Sequence, residues 1–277
     1  MVRTRFAPSP TGRLHLGHAY AAKVARNLAL QGSGEFLLRF EDIDSTRVRP
    51  EYFTAIEDDL AWLGLTWNGE PLRQTERLPA YEAALLALRD LSVVYPCFCT
   101  RREIDEEIAR MSGAPQGPEG PLYPGICRNL SQKERDARIT AGLPFSWRLD
   151  SEAASEQAGP LSFTDRHRGR IAVDPRLLGD VILARKDIGT SYHLAVVVDD
   201  AFQAISHVTR GEDLLASTHV HRLLQSLLNL PQPEYFHHRL IHDAGGKRLA
   251  KRHDALSIQS LRDSGRTAES LLAELGD

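Results

Sequence analysis

Residues 5–18 read Arg5-Phe6-Ala7-Pro8-Ser9-Pro10-Thr11-Gly12-Arg13-Leu14-His15-Leu16-Gly17-His18. A short β-prone run, Val2 to Phe6, precedes this stretch, and Ala19 to Gln31 after it reads as a helix closed by Gly32. Pro8 and Pro10 exclude helix between them, because each fixes φ and restricts the residue before it. Gly12 and Gly17 allow a tight turn and a close approach of backbone to a ligand. The pattern is strand, Gly/Pro loop, helix N-terminus, with two imidazoles at the helix mouth. Such a mouth suits a phosphate: free N–H groups and the positive end of the dipole face it, and His15 and His18 can donate hydrogen bonds. A plain strand–turn–helix connection with two surface histidines would also satisfy a bare H-x-x-H.

The full string is more specific. Pro8 to His18, PSPTGRLHLGH, resembles the HIGH signature of class I aminoacyl-tRNA synthetases, and its P-S-P-T-G lead is the form found in the glutamyl-tRNA synthetase family. The resemblance implies an α/β fold, a Rossmann-type parallel sheet split by a zinc-bearing insertion and followed by a short helical C-terminus. It implies His15 and His18 as catalytic residues, with Gly17 beside them against ATP. Arg5, Phe6, Ala7, Pro8 and Ser9 fall at the start of the glutamate pocket.

Composition fits an ordinary soluble globular protein. The 277 residues are 42% hydrophobic and 26% charged, ample for a buried core. No apolar run approaches the roughly 20 residues of a membrane span, and Met1 to Arg5 shows no signal peptide, so a cytoplasmic location is expected. A net charge of −3 gives no global field for nucleic acid, so any RNA contact must use local basic patches. One such patch is Arg166-His167-Arg168-Gly169-Arg170, either solvated or a contact to phosphate backbone.

Along the chain, Glu35 to Phe40 reads as a buried strand ending in Arg39-Phe40-Glu41-Asp42-Ile43-Asp44. Acidic groups at the carboxyl end of a parallel strand lie where doubly wound sheets bind ligands. The string RFEDID again resembles the glutamyl family, which implies that Glu41 holds the substrate's α-amino group. Pro50 to Leu63 and Leu78 to Leu91 are amphipathic core helices, the first with Phe53, Ile56, Leu60 and Leu63 on one face, the second with Tyr81, Leu85 and Leu88 inward. Gln132 to Thr140 is a polar helix, Pro144 to Leu149 a strand, and Ser151 to Gly159 a loop of low hydrophobicity. Later strings, YHLAVVVDD from Tyr192 and HVTRGEDLL from His207, resemble the second half of the glutamyl-type catalytic domain and imply Tyr192 and Arg210 in the amino-acid pocket. Thr218 to Leu230 is an amphipathic helix, and Tyr235 to His242 the last strand.

Three cysteines at uneven spacing in a chain without a secretory signal suggest a metal site or nothing. Cys97 and Cys99 can share a metal, and Cys127 would be a third ligand. C-x-C followed by Y-x-x-x-C resembles the zinc insertion of bacterial glutamyl-type synthetases, which implies Tyr123 as the fourth ligand and one structural zinc.

Near the end, Gly245-Gly246-Lys247-Arg248-Leu249-Ala250-Lys251-Arg252 resembles the second class I signature, KMSKS, in its glutamyl form K-L-S-K. Arg248 replaces the first Lys and Ala250 the Ser, while Lys251 aligns with the Lys that meets ATP phosphates. The resemblance implies a catalytic Lys251, with Arg248 also against ATP and Mg²⁺ accompanying the nucleotide. Only two short helices, Ser257 to Arg262 and Thr267 to Leu275, are expected beyond. The expected division is 1–96 and 166–246 as the two halves of the catalytic domain, 97–165 as the insertion, and 247–277 as the signature loop and helical remnant.

Activation of a carboxylate by ATP demands positioning and neutralisation of developing negative charge rather than covalent help. Glutamate brings two carboxylates and one ammonium: Glu41 can meet the ammonium, Arg5 and Arg210 the carboxylates. Which arginine meets which carboxylate stays open. The missing helical anticodon-binding region implies the family's short branch, the glutamyl-Q-tRNA(Asp) synthetases. These activate glutamate without tRNA and transfer it to queuosine in the anticodon loop of tRNA(Asp). A monomer and no membrane partner are expected. A truncated conventional synthetase charging a tRNA 3′ end, or a non-catalytic adenylate- or tRNA-binding module, are the other readings. Intact His15, His18, Glu41 and Lys251 argue against the last.

Overall fold

The computed structural model describes residues 1–111, 116–118, 120–241 and 257–276. The first half of the molecule runs β1 (Arg3–Phe6), α1 (Leu16–Gln31), β2 (Glu35–Phe40), α2 (Glu51–Trp62), β3 (Leu72–Arg73), α3 (Leu78–Asp90) and β4 (Val94–Cys97). Then come α4 (Arg101–Arg110), the small strands β5 (Gln116–Gly117) and β6 (Gly120–Pro121), α5 (Gln132–Thr140), β7 (Ser146–Leu149) and α6 (Ser151–Ala158). The chain continues through β8 (Ser162–Asp165), β9 (Gly169–Ala172), β10 (Ile182–Ala184), α7 (Tyr192–Phe202), β11 (His207–Gly211), α8 (Leu215–Leu227) and β12 (Glu234–His238). Helices α9 (Ile258–Asp263) and α10 (Ala268–Glu274) follow residues 242–256, which lie outside the described chain.

Strands β1, β2 and β3 are parallel neighbours, as are β11, β12 and β8, with β9 antiparallel at the far edge. The two groups meet edge to edge where β1 lies beside β11: Ser206 N–H donates to Arg3 O at 3.0 Å, and Ser206 Oγ accepts from Arg3 N–H at 2.8 Å. The parallel α/β architecture expected from the sequence is therefore present. A separate antiparallel sheet orders β10, β7 and β4. Strand pairing thus crosses the boundaries at 97 and 166, since β7 joins strands from either side and β8 joins β12.

One apolar core gathers α1, α2, β1 and β2 with Ile258 and Leu275 of the C-terminal helices. A second packs α3, α7 and α8 around Leu149 and Leu183. Close approach fixes the turn between α1 and β2: a Cβ on Gly34 would lie 1.8 Å from Val2 O, so only glycine lets β2 start beside β1. Gly12 differs, for a Cβ there would meet no atom within 4 Å, and packing does not demand glycine.

Two readings need correction. Residues 151–158 form helix α6 rather than a loop, because Asp150 caps the N-terminus by accepting from Ala153 N–H and buried Ala154 packs in the second core. Helix α1 starts at Leu16 rather than Ala19, so the two histidines belong to its first turn.

Candidate active site

The carboxyl ends of β1, β2 and β11 and the N-termini of α1 and α7 converge, as expected of a ligand site in an open parallel sheet. His15 is the N-cap of α1. Gly17 N–H donates to His15 Nδ1 at 3.1 Å and His15 N–H donates to His18 Nδ1 at 3.3 Å, a reciprocal capping box built from imidazoles. The rings stack with centroids 3.8 Å apart, and Phe6 meets His18 edge-on. Because each Nδ1 accepts, each neutral ring carries its proton on Nε2. The loop holding Ala7, Pro8 and Ser9 is tied to the end of β2: Glu41 N–H donates to Pro8 O at 3.1 Å, and Thr11 N–H to Ser9 O at 2.8 Å.

Two arginines at the site differ in their partners. Arg5 is buried and bonded to Asp200, Nε to Oδ1 at 2.9 Å and Nη2 to Oδ2 at 3.3 Å, with Nη1 donating to Thr209 O at 3.2 Å. Arg39 donates to the same Asp200 carboxylate. Burial opposes ionisation of Asp200, but the two guanidiniums overcome it and hold its carboxyl at about 2. Arg210 is equally buried; the Glu41 carboxylate lies within its field, but no carboxylate among the described residues bonds it. Its Nη1 donates to His221 Nδ1 at 3.0 Å and to Thr218 Oγ1 at 3.4 Å, while its Nε has no partner.

The donors behind Arg210 form a directed chain. Asp165 accepts from His237 Nδ1 at 2.7 Å, and His237 Nε2 lies 2.8 Å from Thr218 Oγ1. On the other side His221 Nε2 lies 3.1 Å from His193 Nδ1. Arginine can only donate, so His221 Nδ1 accepts and its proton sits on Nε2, which donates to His193. Burial, reinforced by the charge of Arg210, pushes His193 down to about 4 and His221 well below its usual range. Both imidazoles are therefore neutral near pH 7.

Glu41 is half-buried just beyond β2, and no side chain among the described residues bonds its carboxylate. Loss of water pushes its carboxyl up to about 7, against the pull of Arg39 and Arg5. Tyr192 opens α7; burial raises its phenol, which also lies in the fields of Arg210, Glu41 and Arg5. Arg5, Glu41, Tyr192 and Arg210 are thus grouped around one space. Asp200, Thr218 and His221 were not singled out in the sequence. The adjacent Asp199-Asp200 directly after the apolar run Leu194–Val198 was the available signal, because buried carboxylates need partners.

Lys251 and Arg248 lie outside the described residues. Where the chain resumes, Ser257 pairs with His15 across an isolated bridge and Ile258 N–H donates to Leu14 O at 2.9 Å. The cluster at 166–170 is an exposed hairpin turn. Arg168 bonds Glu212 at 3.1 Å, Arg166 lies 3.9 Å from Glu234, and Arg170 Nε donates to Ser162 Oγ at 2.8 Å.

A second site lies at the end of β4. The sulfurs of Cys97, Cys99 and Cys127 lie within 4.8 Å of one another. Cys99 Sγ is 3.4 Å from Cys127 Sγ, and Tyr123 Oη is 3.4 Å from Cys97 Sγ and 3.5 Å from Cys99 Sγ. Zn–S bonds of about 2.3 Å in a tetrahedron put the sulfurs about 3.8 Å apart, so these four atoms fit one metal ion. Hydrogen bonding with Cys127, outweighing burial and aided by Tyr123 and Arg148, holds the Cys97 thiol down at about 4. This favours the thiolate, the form that ligates metals, at Cys97. Burial raises the Cys99 thiol, and hydrogen bonding with Cys97, together with burial, raises that of Cys127.

Comparison with known proteins identifies the family. Residues 1–276 match the family described as tRNA synthetases class I (E and Q), catalytic domain. The chain is 47% identical over 281 residues to a glutamyl-Q tRNA(Asp) synthetase of Rhodobacter capsulatus, covering 99% of both chains. It is 41% identical to that of Nitratidesulfovibrio vulgaris, covering 99% of this chain and 85% of the other. Among solved structures, a glutamate tRNA ligase from Elizabethkingia meningosepticum in complex with its amino acid superposes with a TM-score of 0.75 at 30% identity. That match covers 91% of this chain and 52% of the ligase, so the chain spans about half the ligase's length. Sheet, imidazole-capped helix and full-length similarity together place this chain in the catalytic-domain family of the class I, glutamate- and glutamine-type tRNA synthetases.

Proposed function

We propose that the chain joins L-glutamate to AMP using ATP, without tRNA, and then transfers the glutamyl group to the cyclopentenediol of queuosine in the anticodon loop of tRNA(Asp). The observation that carries the glutamate reading is Arg210, a buried guanidinium that no carboxylate bonds among the described residues. An anionic substrate group completes it, and glutamine in place of glutamate would leave it unpaired. Arg5 donates three of its five N–H bonds to Asp200 and Thr209, so two remain for a second carboxylate contact. Glu41, ionised, receives the substrate's ammonium. The two relatives named glutamyl-Q tRNA(Asp) synthetase supply the acceptor.

In activation, a substrate carboxylate oxygen attacks the α-phosphorus of ATP, the bond to the β-phosphate oxygen breaks, and pyrophosphate leaves. His15 and His18 present Nε2–H at a helix N-terminus to the phosphates. Lys251 and Arg248 add positive charge, and Mg²⁺ travels with ATP. In transfer, a queuosine hydroxyl attacks the glutamyl carbonyl and AMP departs. Cys97, Cys99, Tyr123 and Cys127 would hold one structural zinc, a four-ligand set that would leave no position for substrate. Residues 1–96 and 166–246 form the catalytic halves, 97–165 the insertion, and 247–277 the signature loop and helical remnant.

The test is glutamate-dependent ATP–pyrophosphate exchange without tRNA, followed by mass analysis of tRNA nucleosides. His18→Ala and Lys251→Ala should each lower exchange roughly 10²-fold or more, by loss of charge stabilisation at the phosphates. Transfer should require queuosine-bearing tRNA(Asp) and survive removal of its 3′-terminal adenosine. Full exchange in both variants, or glutamate found as an ester on the 3′ adenosine of tRNA(Glu), would overturn the proposal.

A further inference from the structure

Helix α8 carries a polar stripe where packing alone would favour an apolar one. Thr218, His221 and Gln225 follow at three- and four-residue spacing on one helix face, and all three are buried. Burying such groups is costly unless they are bonded. Each makes a bond, and the stripe converges on Arg210. Arg210 Nη1 gives one proton to His221 Nδ1 and the other to Thr218 Oγ1. Gln225 Nε2 donates at 2.8 Å to Tyr235 Oη, and the Tyr235 ring lies 5.7 Å from the Arg210 guanidinium. His221 also meets Tyr192 edge to face, with ring centroids 5.4 Å apart. It therefore touches two residues of the glutamate site at once.

Both acceptors on Nη1 have a fixed direction. Burial opposes ionisation of Asp165, but bonds from His237 and the backbone hold its carboxyl below the usual range. Burial pushes His237 down to about 4, so its ring is neutral near pH 7. An ionised Asp165 can only accept, so His237 carries its proton on Nδ1 and accepts at Nε2. Thr218 gives its single proton to that nitrogen at 2.8 Å, rather than to Leu214 O at 3.3 Å. A lone pair of Oγ1 is then left for Arg210. With both Nη1 protons used on α8, the remaining terminal nitrogen is Nη2, which bonds nothing among the described residues. A buried arginine that serves the fold alone takes a carboxylate, as Arg5 and Arg39 take Asp200. The α8 stripe instead fixes Arg210 without neutralising it. We infer that His221 and Thr218 are positioning residues for glutamate binding, holding Arg210 by Nη1 so that Nη2 is presented to a substrate carboxylate. This role rests on Arg210 as a glutamate contact, as proposed above, and assigns the orientation of that contact to α8.

The experiment compares paired variants of the intact protein in ATP–pyrophosphate exchange. His221→Leu removes the acceptor for Arg210 and the donor to His193. Glutamine reproduces both, its Oε1 accepting from Arg210 and its Nε2–H donating to His193. His221→Leu should raise the KM for glutamate roughly tenfold to a hundredfold, the effect of a lost bond to a charged group. The KM for ATP should hold, kcat should fall less than the affinity, and His221→Gln should recover most of the loss. Thr218→Val and Thr218→Ser form a second such pair, which reads the same contact should His221→Leu fail to fold. In the unmodified protein, nitrogen NMR of isotope-labelled histidines at neutral pH should find His221 protonated on Nε2 alone and His237 on Nδ1 alone. An unchanged glutamate KM in His221→Leu and Thr218→Val, an equal loss of ATP affinity, or His221 protonated on Nδ1 would overturn the positioning role while leaving Arg210 as the glutamate contact. A parent protein without glutamate-dependent exchange would overturn the glutamate reading itself, and the positioning role with it.

Discussion

Asp200 separates the roles of the two arginines at the glutamate site. Its single carboxylate binds both Arg5 and Arg39, whereas Arg210 bonds no carboxylate among the described residues, so the site keeps positive charge for an anionic substrate. Glu41 completes the balance, and its carboxyl at about 7 sets a pH dependence. The ammonium of glutamate requires Glu41 ionised, and the ionised fraction grows as pH rises through 7. We expect kcat/KM for glutamate to climb with pH up to about 7 and then level. Glu41→Gln should abolish that slope and lower kcat/KM roughly tenfold to a hundredfold, the worth of a charge-assisted hydrogen bond. Steady-state exchange kinetics across pH check both statements; a slope that persists in Glu41→Gln would assign the titration elsewhere. At this scale the motif residues were legible because Pro8–His18 and Arg39–Asp44 each place several functional groups within one short string. The supports of Arg5 and Arg210 were not, because Arg5 and Asp200 are 195 positions apart and only the fold unites them.

Elements were legible where apolar periodicity was strong. Tyr81, Leu85 and Leu88 of α3 and Ile56 and Leu60 of α2 are buried as their spacing requires. Helix α6 escaped because it buries only Ser151 and Ala154, too few to make a stripe. The start of α1 was misplaced for a different reason. Histidine is a poor marker of a helix N-terminus, yet here His15 performs the capping that Ser or Asp performs at Ser131, Asp150 and Ser257. For the insertion, we expect close to one zinc per chain by metal analysis. Cys97→Ser or chelation should remove it, and hydrogen exchange should then accelerate around residues 97–99 and 123–127 with glutamate activation retained. Freshly purified protein without zinc would leave three ordinary cysteines.

Across the whole molecule, Asp200 joins β1 and β2 to α7 through two buried guanidiniums. Its folded carboxyl, at about 2, lies below the unfolded value of about 4. Its contribution to stability is therefore complete above pH 4 and declines as pH falls toward 2. Thermal unfolding of the parent should weaken across that window, and Asp200→Asn should be less stable at pH 7 but lose less on acidification. Parallel pH profiles for the two proteins would show that another group governs acid unfolding.

The position of β1 beside β11 also bears on the order in which the chain can be made. On the ribosome, β1 emerges first, but the strand that covers its edge, residues 207–211, emerges about two hundred residues later. Until then its backbone is an open edge, the kind that pairs with other chains. Arg3, Arg5 and Arg39 sit on that unfinished half, and the carboxylate that balances Arg5 and Arg39 is still to come. Arg3 meets Glu35 within that half, while Arg5 and Arg39 wait for Asp200, and charge on a strand edge disfavours its pairing with other chains. Arg5, which lies on β1 and serves the finished site, thus also guards an edge awaiting its neighbour.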